Sequence, residues 1–128
     1  MTDSISVRRW VAAYRRAWES NDPDEIRALF TEDGDYLTGP FADPWHGHDT
    51  IVEKWLEYAD SPGDTTFSST VIGVDGDTGF VEGLTEYPED NIFANLWVIE
   101  FASDGRARRF TEWYMKRPQP DQADSSAS

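Results

Sequence analysis

Along residues 4–20 apolar side chains recur with a helical period. Val7, Trp10, Val11, Tyr14 and Trp18 fall at i, i+3, i+4, i+7 and i+11, while Arg8, Arg9, Arg15, Arg16 and Glu19 take the opposite face. That spacing predicts an amphipathic helix, capped by Asp3 or Ser4. Asp22-Pro23-Asp24-Glu25 predicts a second, shorter helix: a capping acid, proline at the first helical position and acids in the first turn, with Ile26, Leu29 and Phe30 as its apolar edge. Glu32-Asp33-Gly34 is turn chemistry, and Asp35–Thr38 is a short strand. The stretch from Gly39 to Gly47, with two prolines, Phe41, Trp45 and His46, reads as a loop holding buried rings. A third helix is expected from about Asp49 to Ala59, turning Ile51, Val52, Trp55, Leu56 and Ala59 inward and stopped by Ser61-Pro62-Gly63-Asp64.

Beyond that point the period falls to two. Thr65–Val74, Thr78–Tyr87, Ile92–Ser103 and Arg106–Lys116 predict long strands, joined by Asp75-Gly76-Asp77, Pro88-Glu89-Asp90-Asn91 and Asp104-Gly105. Short, mostly Gly-bearing connections imply hairpins and an antiparallel meander, since a parallel crossover needs an intervening helix. The expected fold class is therefore α+β. Three N-terminal helices pack on a strongly curved antiparallel sheet, with a cavity between the two layers. Residues 1–117 read as one domain, and 118–128 as a polar, proline-bearing, disordered tail.

Composition refines this picture. The chain of 128 residues suits a single domain, and its 18 aromatic side chains, six of them tryptophan, must fill much of the core. The absence of cysteine excludes a disulfide framework, a thiolate zinc site and a cysteine nucleophile, and makes the cytoplasm the expected compartment. No apolar run approaches the ~18 residues of a membrane helix, and MTDSISVRR has no apolar signal region, so no membrane partner is expected. A net charge of −14 disfavours nucleic acid, whose non-specific binding needs Lys and Arg against phosphates. The excess is concentrated: residues 28–105 hold one basic side chain, Lys54, against 17 acids. Such an acidic surface is first of all a solvated one.

The helix VRRWVAAYRRAWESNDPDEIRALF running into TEDG, the segment HGHDTIVEKW and the closing hairpin NLWVIEFASDGRARRFTEWYMKRP together resemble the nuclear transport factor 2-like (NTF2-like) superfamily. That superfamily includes ketosteroid isomerases and SnoaL-like polyketide cyclases. The likeness covers about residues 4–117 and implies a cone-shaped fold and a homodimer, and none of its motifs is chemically specific. Tyr14 stands where the isomerases place an oxyanion-hole tyrosine. Their general-base aspartate falls near Thr38 and their second oxyanion donor near Trp97, so steroid isomerase activity is not expected. SnoaL-type cyclases place an inward acid where this chain has Glu112, although the histidine two residues earlier is Phe110 here. The Asp-Arg-Asp set of limonene epoxide hydrolases has no counterpart.

Each candidate has a functional and a structural reading. On strand parity Glu112 lies with Arg108, Phe110 and Tyr114. If that face lines the cavity, desolvation raises its pKa and makes it a proton shuttle; a salt bridge to Arg108 opposes this and makes it a structural acid. His46 and His48 straddle a glycine at a helix start, a poor basis for a metal site, and no metal or cofactor is expected. His46 either reaches the cavity mouth as an acid/base group or packs the loop. Tyr14 and Tyr36 are polar tips in an aromatic pocket. Asn95, on one strand face with Trp97, Ile99 and Phe101, either binds ligand or satisfies protein groups. Trp18, Phe41, Trp45, Trp55, Trp97, Phe110 and Tyr114 complete the expected lining. Leu84, Leu96 and Val98 fall on the other sheet face with Glu82, Glu86 and Glu100, which suggests a sheet-to-sheet homodimer.

The expected function is a pocket protein that binds or acts on a small, apolar, carbonyl-containing molecule, by acid/base chemistry of SnoaL-like type (cyclase, isomerase or dehydratase). Glu112 is the shuttle, and Tyr14 or His46 polarises the carbonyl. The alternative is a non-catalytic ligand-binding or dimeric interaction domain on the same fold.

Overall fold

A computed structural model describes residues 2–58, 65–89 and 91–118. In chain order the elements are α1 (Ser4–Ser20), α2 (Pro23–Leu29), β1 (Phe30–Leu37), β2 (Trp45–His46), α3 (His48–Glu57), β3 (Thr66–Asp75), β4 (Thr78–Tyr87), β5 (Asn91–Phe101) and β6 (Ala107–Lys116). The architecture is α+β, three helices on a six-stranded mixed sheet of order β2-β1-β6-β5-β4-β3. Ala59 and the expected stop at Ser61–Asp64 lie outside the described residues, as do Asp90 and residues 119–128 of the expected tail.

Local chemistry sets the helix ends. Asp3 caps α1 in a reciprocal box with Ser6, and Asn21 closes it in a left-handed conformation with its N–H on Ala17 O. Asp22 caps α2 by accepting from Asp24 N at 2.8 Å ahead of Pro23. At α3 the cap is Gly47, at φ 84°, and Asp49 sits in the first turn rather than capping it.

Two expectations about the sheet need correction. It is not purely antiparallel, because β1 pairs in parallel with β6 through Tyr36↔Phe110 and Leu37↔Thr111. The intervening α3 and four strands, β2 to β5, are connection enough for a parallel pair. The helices are also not consecutive at the N-terminus, since β1 and β2 precede α3. The hairpins β3–β4, β4–β5 and β5–β6 are antiparallel as expected.

The core lies between α1 and the inner sheet face. Val7, Trp10, Val11, Tyr14 and Ala17 of α1 are buried against Trp97, Ile99, Phe101 and Phe110. Trp10 touches Phe30, Phe101 and Phe110 with ring centroids 5.7–6.0 Å apart, and its Nε1 donates to Leu29 O at 2.8 Å. The inner face of β4 is kept low by glycine: a Cβ on Gly79 would stand 2.8 Å from Val7 Cγ2, and one on Gly83 2.7 Å from Phe67 Cε1. Leu56, expected inward, is exposed because it lies off the Ile51–Val52–Trp55 stripe.

Candidate active site

One end of the layer between helices and sheet is left open as a cavity of about 540 Å³. Ten of its fifteen lining residues carry aromatic rings. Trp55 and Tyr14 meet at 4.9 Å, and Tyr14 packs on Trp97 at 4.6 Å. Toward the opening, Tyr36, Trp45 and Tyr58 form a ladder of near-parallel rings, 4.6 and 6.1 Å apart.

Two polar clusters face this aromatic space. The first is built on three adjacent strands. Thr85 Oγ1 donates to Asn95 Oδ1 at 2.6 Å, Asn95 Nδ2 donates to Glu112 Oε2 at 2.9 Å, and Trp97 Nε1 donates to the same Oε2 at 3.1 Å. The register Trp97↔Glu112 and Thr85↔Phe93 places these side chains on one face. Both donors converge on Oε2, and Glu112 is part of the cavity lining. Burial pushes the Glu112 carboxyl above its ordinary range, and the bonds from Trp97 and Asn95 oppose that only in part.

The second cluster is the pair Tyr14 and Tyr36, whose hydroxyls are 2.9 Å apart. Burial raises both phenols well above their ordinary value, with the nearby Glu112 charge adding to it. They therefore stay protonated through the ordinary pH range and act as donors. One O–H satisfies its neighbour, and the other is available to a ligand oxygen.

The cavity brings together Glu112, Tyr14, Trp18, Tyr36 and Trp45 with Trp55, Asn95, Trp97 and Tyr114. Three other expected residues lie elsewhere. His46 donates through Nδ1 to Asp35 Oδ1, 2.7 Å away, with its side chain 68% exposed on the β1–β2 edge. Phe41 is fully exposed in the loop before β2, on the rim of a second depression across the outer sheet face. Phe110 is fully buried against Trp10, Tyr14 and Tyr36, and belongs to the core beneath the cavity. His48 Nε2 meets Phe30 O at 2.7 Å, so the two histidines engage different partners. Among the described residues no group of three or more His, Asp or Glu converges as a metal site.

Glu112 forms no salt bridge with Arg108, the partner that strand parity suggested. A bulge between the Glu100↔Arg109 and Phe101↔Ala107 pairs resets strand parity, so Ala107 turns inward and Arg108 outward, toward Glu100 at 3.8 Å. Lining residues absent from the expected set are Thr38, Lys54, Tyr58, Thr85, Tyr87 and Phe93. Strand parity alone points to Thr85 and Phe93, since they share a face with Gly83 and Asn95. No helix among the described residues is long and apolar enough to cross a membrane.

Comparison with known proteins agrees with this architecture. Three solved structures are similar over nearly the whole chain. An NTF-2 like protein of unknown function from Burkholderia xenovorans superposes with TM-score 0.71 at 15% identity, covering 96% of this chain and 93% of its own. A ketosteroid isomerase-like protein from Erwinia carotovora gives 0.65 at 20% identity, covering 90% and 97%. SalBIII, an epoxide hydrolase/cyclase-like enzyme in pyran ring formation in the polyether salinomycin, gives 0.70 at 19% identity, covering 90% and 95%. At these identities the likeness is one of fold. No curated protein sequence matches. The model of the SnoaL-like domain family matches residues 7–116, and the chain belongs to that family, within the NTF2-like superfamily.

Proposed function

We propose that this protein binds a small, apolar, carbonyl-bearing molecule in the aromatic cavity and carries out acid/base chemistry on it with its own side chains, as a cyclase, isomerase or dehydratase. The observation that carries this reading is Glu112: a carboxyl in the cavity lining, raised by burial, with one oxygen fixed by Asn95 and Trp97. Ionised, its Oε1 takes a proton from the carbon next to the carbonyl, and the electron pair of that C–H bond moves to the carbonyl oxygen as an enolate. A hydroxyl of the Tyr14–Tyr36 pair donates to that oxygen. The protonated Glu112 then returns its proton to another carbon or to a departing hydroxyl. A single domain over residues 1–117, a cone formed by curvature of the sheet, and a cytoplasmic setting belong to this reading.

Native mass spectrometry of protein purified from its own host tests it. A retained polycyclic or terpenoid compound with a carbonyl is the expected result, and a retained ligand without one contradicts the reading.

A dimeric state is favoured by a separate observation. Ile72, Leu84, Trp113 and Met115 are all exposed and line one shallow depression on the outer sheet face. We read this as the surface of a sheet-to-sheet homodimer. Size-exclusion chromatography with light scattering is expected to give a dimer at micromolar concentration; monomer alone contradicts it.

A further inference from the structure

Lys54 is the single basic side chain in residues 28–105, a stretch with 17 acids, and it is one of the residues that line the cavity. Among the described lining residues it is the only cation, and Glu112 the only acid. The two stand on opposite walls: Glu112 on β6, Lys54 on α3. Lys54 sits at the rim, its side chain 40% exposed, one turn before Tyr58 at the outer end of the ring ladder. The next residue, Trp55, runs inward from there to Tyr14 and Tyr36. The α3 wall thus leads from the buried hydroxyl pair to a positive charge at the opening.

Its partner within the protein is weak. Glu57 Oε2 lies 3.7 Å from Lys54 Nζ, three residues along the same helix, and is itself half exposed. Exposed pairs of this kind contribute little and are exchanged readily for another anion. The butylammonium stem is long enough to keep its methylenes against the rings while the head group turns toward the opening.

We infer that the ligand carries an anionic group, a carboxylate, at the end that lies in the cavity mouth, and that Lys54 is the residue that selects it. This rests on the proposed reading, because the carboxylate is taken to be the far end of a molecule whose carbonyl meets the tyrosine hydroxyls. The arrangement separates the two charges of the substrate's chemistry. The anion of the bound molecule is neutralised at the rim, so that Glu112 can ionise within the cavity without facing an uncompensated second negative charge. In a chain of net charge −14, whose long-range field repels anions, a local cation at the rim is what such a ligand requires.

The aryl keto acid benzoylpropionate and its uncharged methyl ester separate the possibilities, read by quenching of tryptophan fluorescence. The wild-type protein is expected to bind the acid about fivefold more tightly than the ester, with the difference shrinking in high salt. In Lys54→Met, which keeps the unbranched stem, the preference disappears while ester binding stays within about twofold of wild type. Lys54→Arg restores the preference. If both compounds bind but the acid is not preferred, or if Lys54→Met keeps the preference, the inference fails while the cavity reading stands. If neither compound binds to the wild type, the inference and the carbonyl-binding reading fail together.

Discussion

Replacing Glu112 with glutamine is expected to slow proton exchange at the carbon beside a ketone by about 10²–10⁴-fold, the usual worth of a positioned general base. The assay is deuterium incorporation into a hydrophobic bicyclic ketone such as tetralone, followed by NMR, with the wild type set against buffer. Glutamine is chosen because it removes basicity and little else. Its carbonyl oxygen can accept from Asn95 Nδ2 and Trp97 Nε1 as Glu112 Oε2 does at 2.9 and 3.1 Å. Its amide then occupies the place of Oε1, where it has no lone pair to take a proton. The fold is expected to be at least as stable as the wild type near neutrality, because a buried carboxylate has been replaced by a neutral group. Loss of exchange with an intact melting transition therefore separates a catalytic role from a structural one. Exchange that persists unchanged in the glutamine variant removes Glu112 from the chemistry.

The second large effect concerns stability. Phe110→Ala is expected to cost about 3–5 kcal/mol, measured by urea denaturation, since it empties a fully buried aromatic site. Phe110 lies at the centre of the aromatic core, with Trp10, Tyr14, Tyr36 and Trp97 at centroid distances of 4.7–5.7 Å. Those neighbours are large rings held by their own partners: Trp10 Nε1 on Leu29 O, Tyr14 on Tyr36, Trp97 on Glu112. They cannot collapse into the space without breaking those bonds, so little of the loss is recovered. A cost below about 1 kcal/mol would instead mark Phe110 as a cavity-facing residue with open space beside it.

Much of the fold is legible because its elements are strongly periodic. The α1 stripe from Val7 to Tyr14 is buried as its spacing demands, and the Asp22-Pro23 start of α2 holds to the residue. The alternation in β5 correctly puts Asn95, Trp97, Ile99 and Phe101 on the inner face. What escapes is whatever depends on contacts distant in sequence or on a break in the period. The parallel β1–β6 pair joins residues more than seventy positions apart, and no local pattern encodes it. The bulge at Arg108 shifts parity by one residue and turns that arginine away from Glu112, toward Glu100. In the Gly39–Gly47 loop the rings have no period, so Trp45 stacking on Tyr36 and Phe41 facing water cannot be told apart beforehand. Lys54 was conspicuous as a lone charge, but a helical neighbour of Trp55 reads as surface until the cavity mouth is seen beside it.

The same carboxyl links function to stability. Because burial raises the folded-state pKa of Glu112 above the value of 4.5 expected of the unfolded chain, the folded protein holds this proton more tightly. The stabilisation is complete below that unfolded value and is lost as pH rises through the folded midpoint, and the glutamine variant lacks this decline. Titration of the Glu112 side-chain carboxyl carbon by NMR in the folded protein therefore tests the central claim most directly. A midpoint above 4.5, falling toward 4.5 when the protein is unfolded in urea, is the predicted result. A folded midpoint at or below 4.5 contradicts it and leaves Glu112 a permanently ionised structural acid.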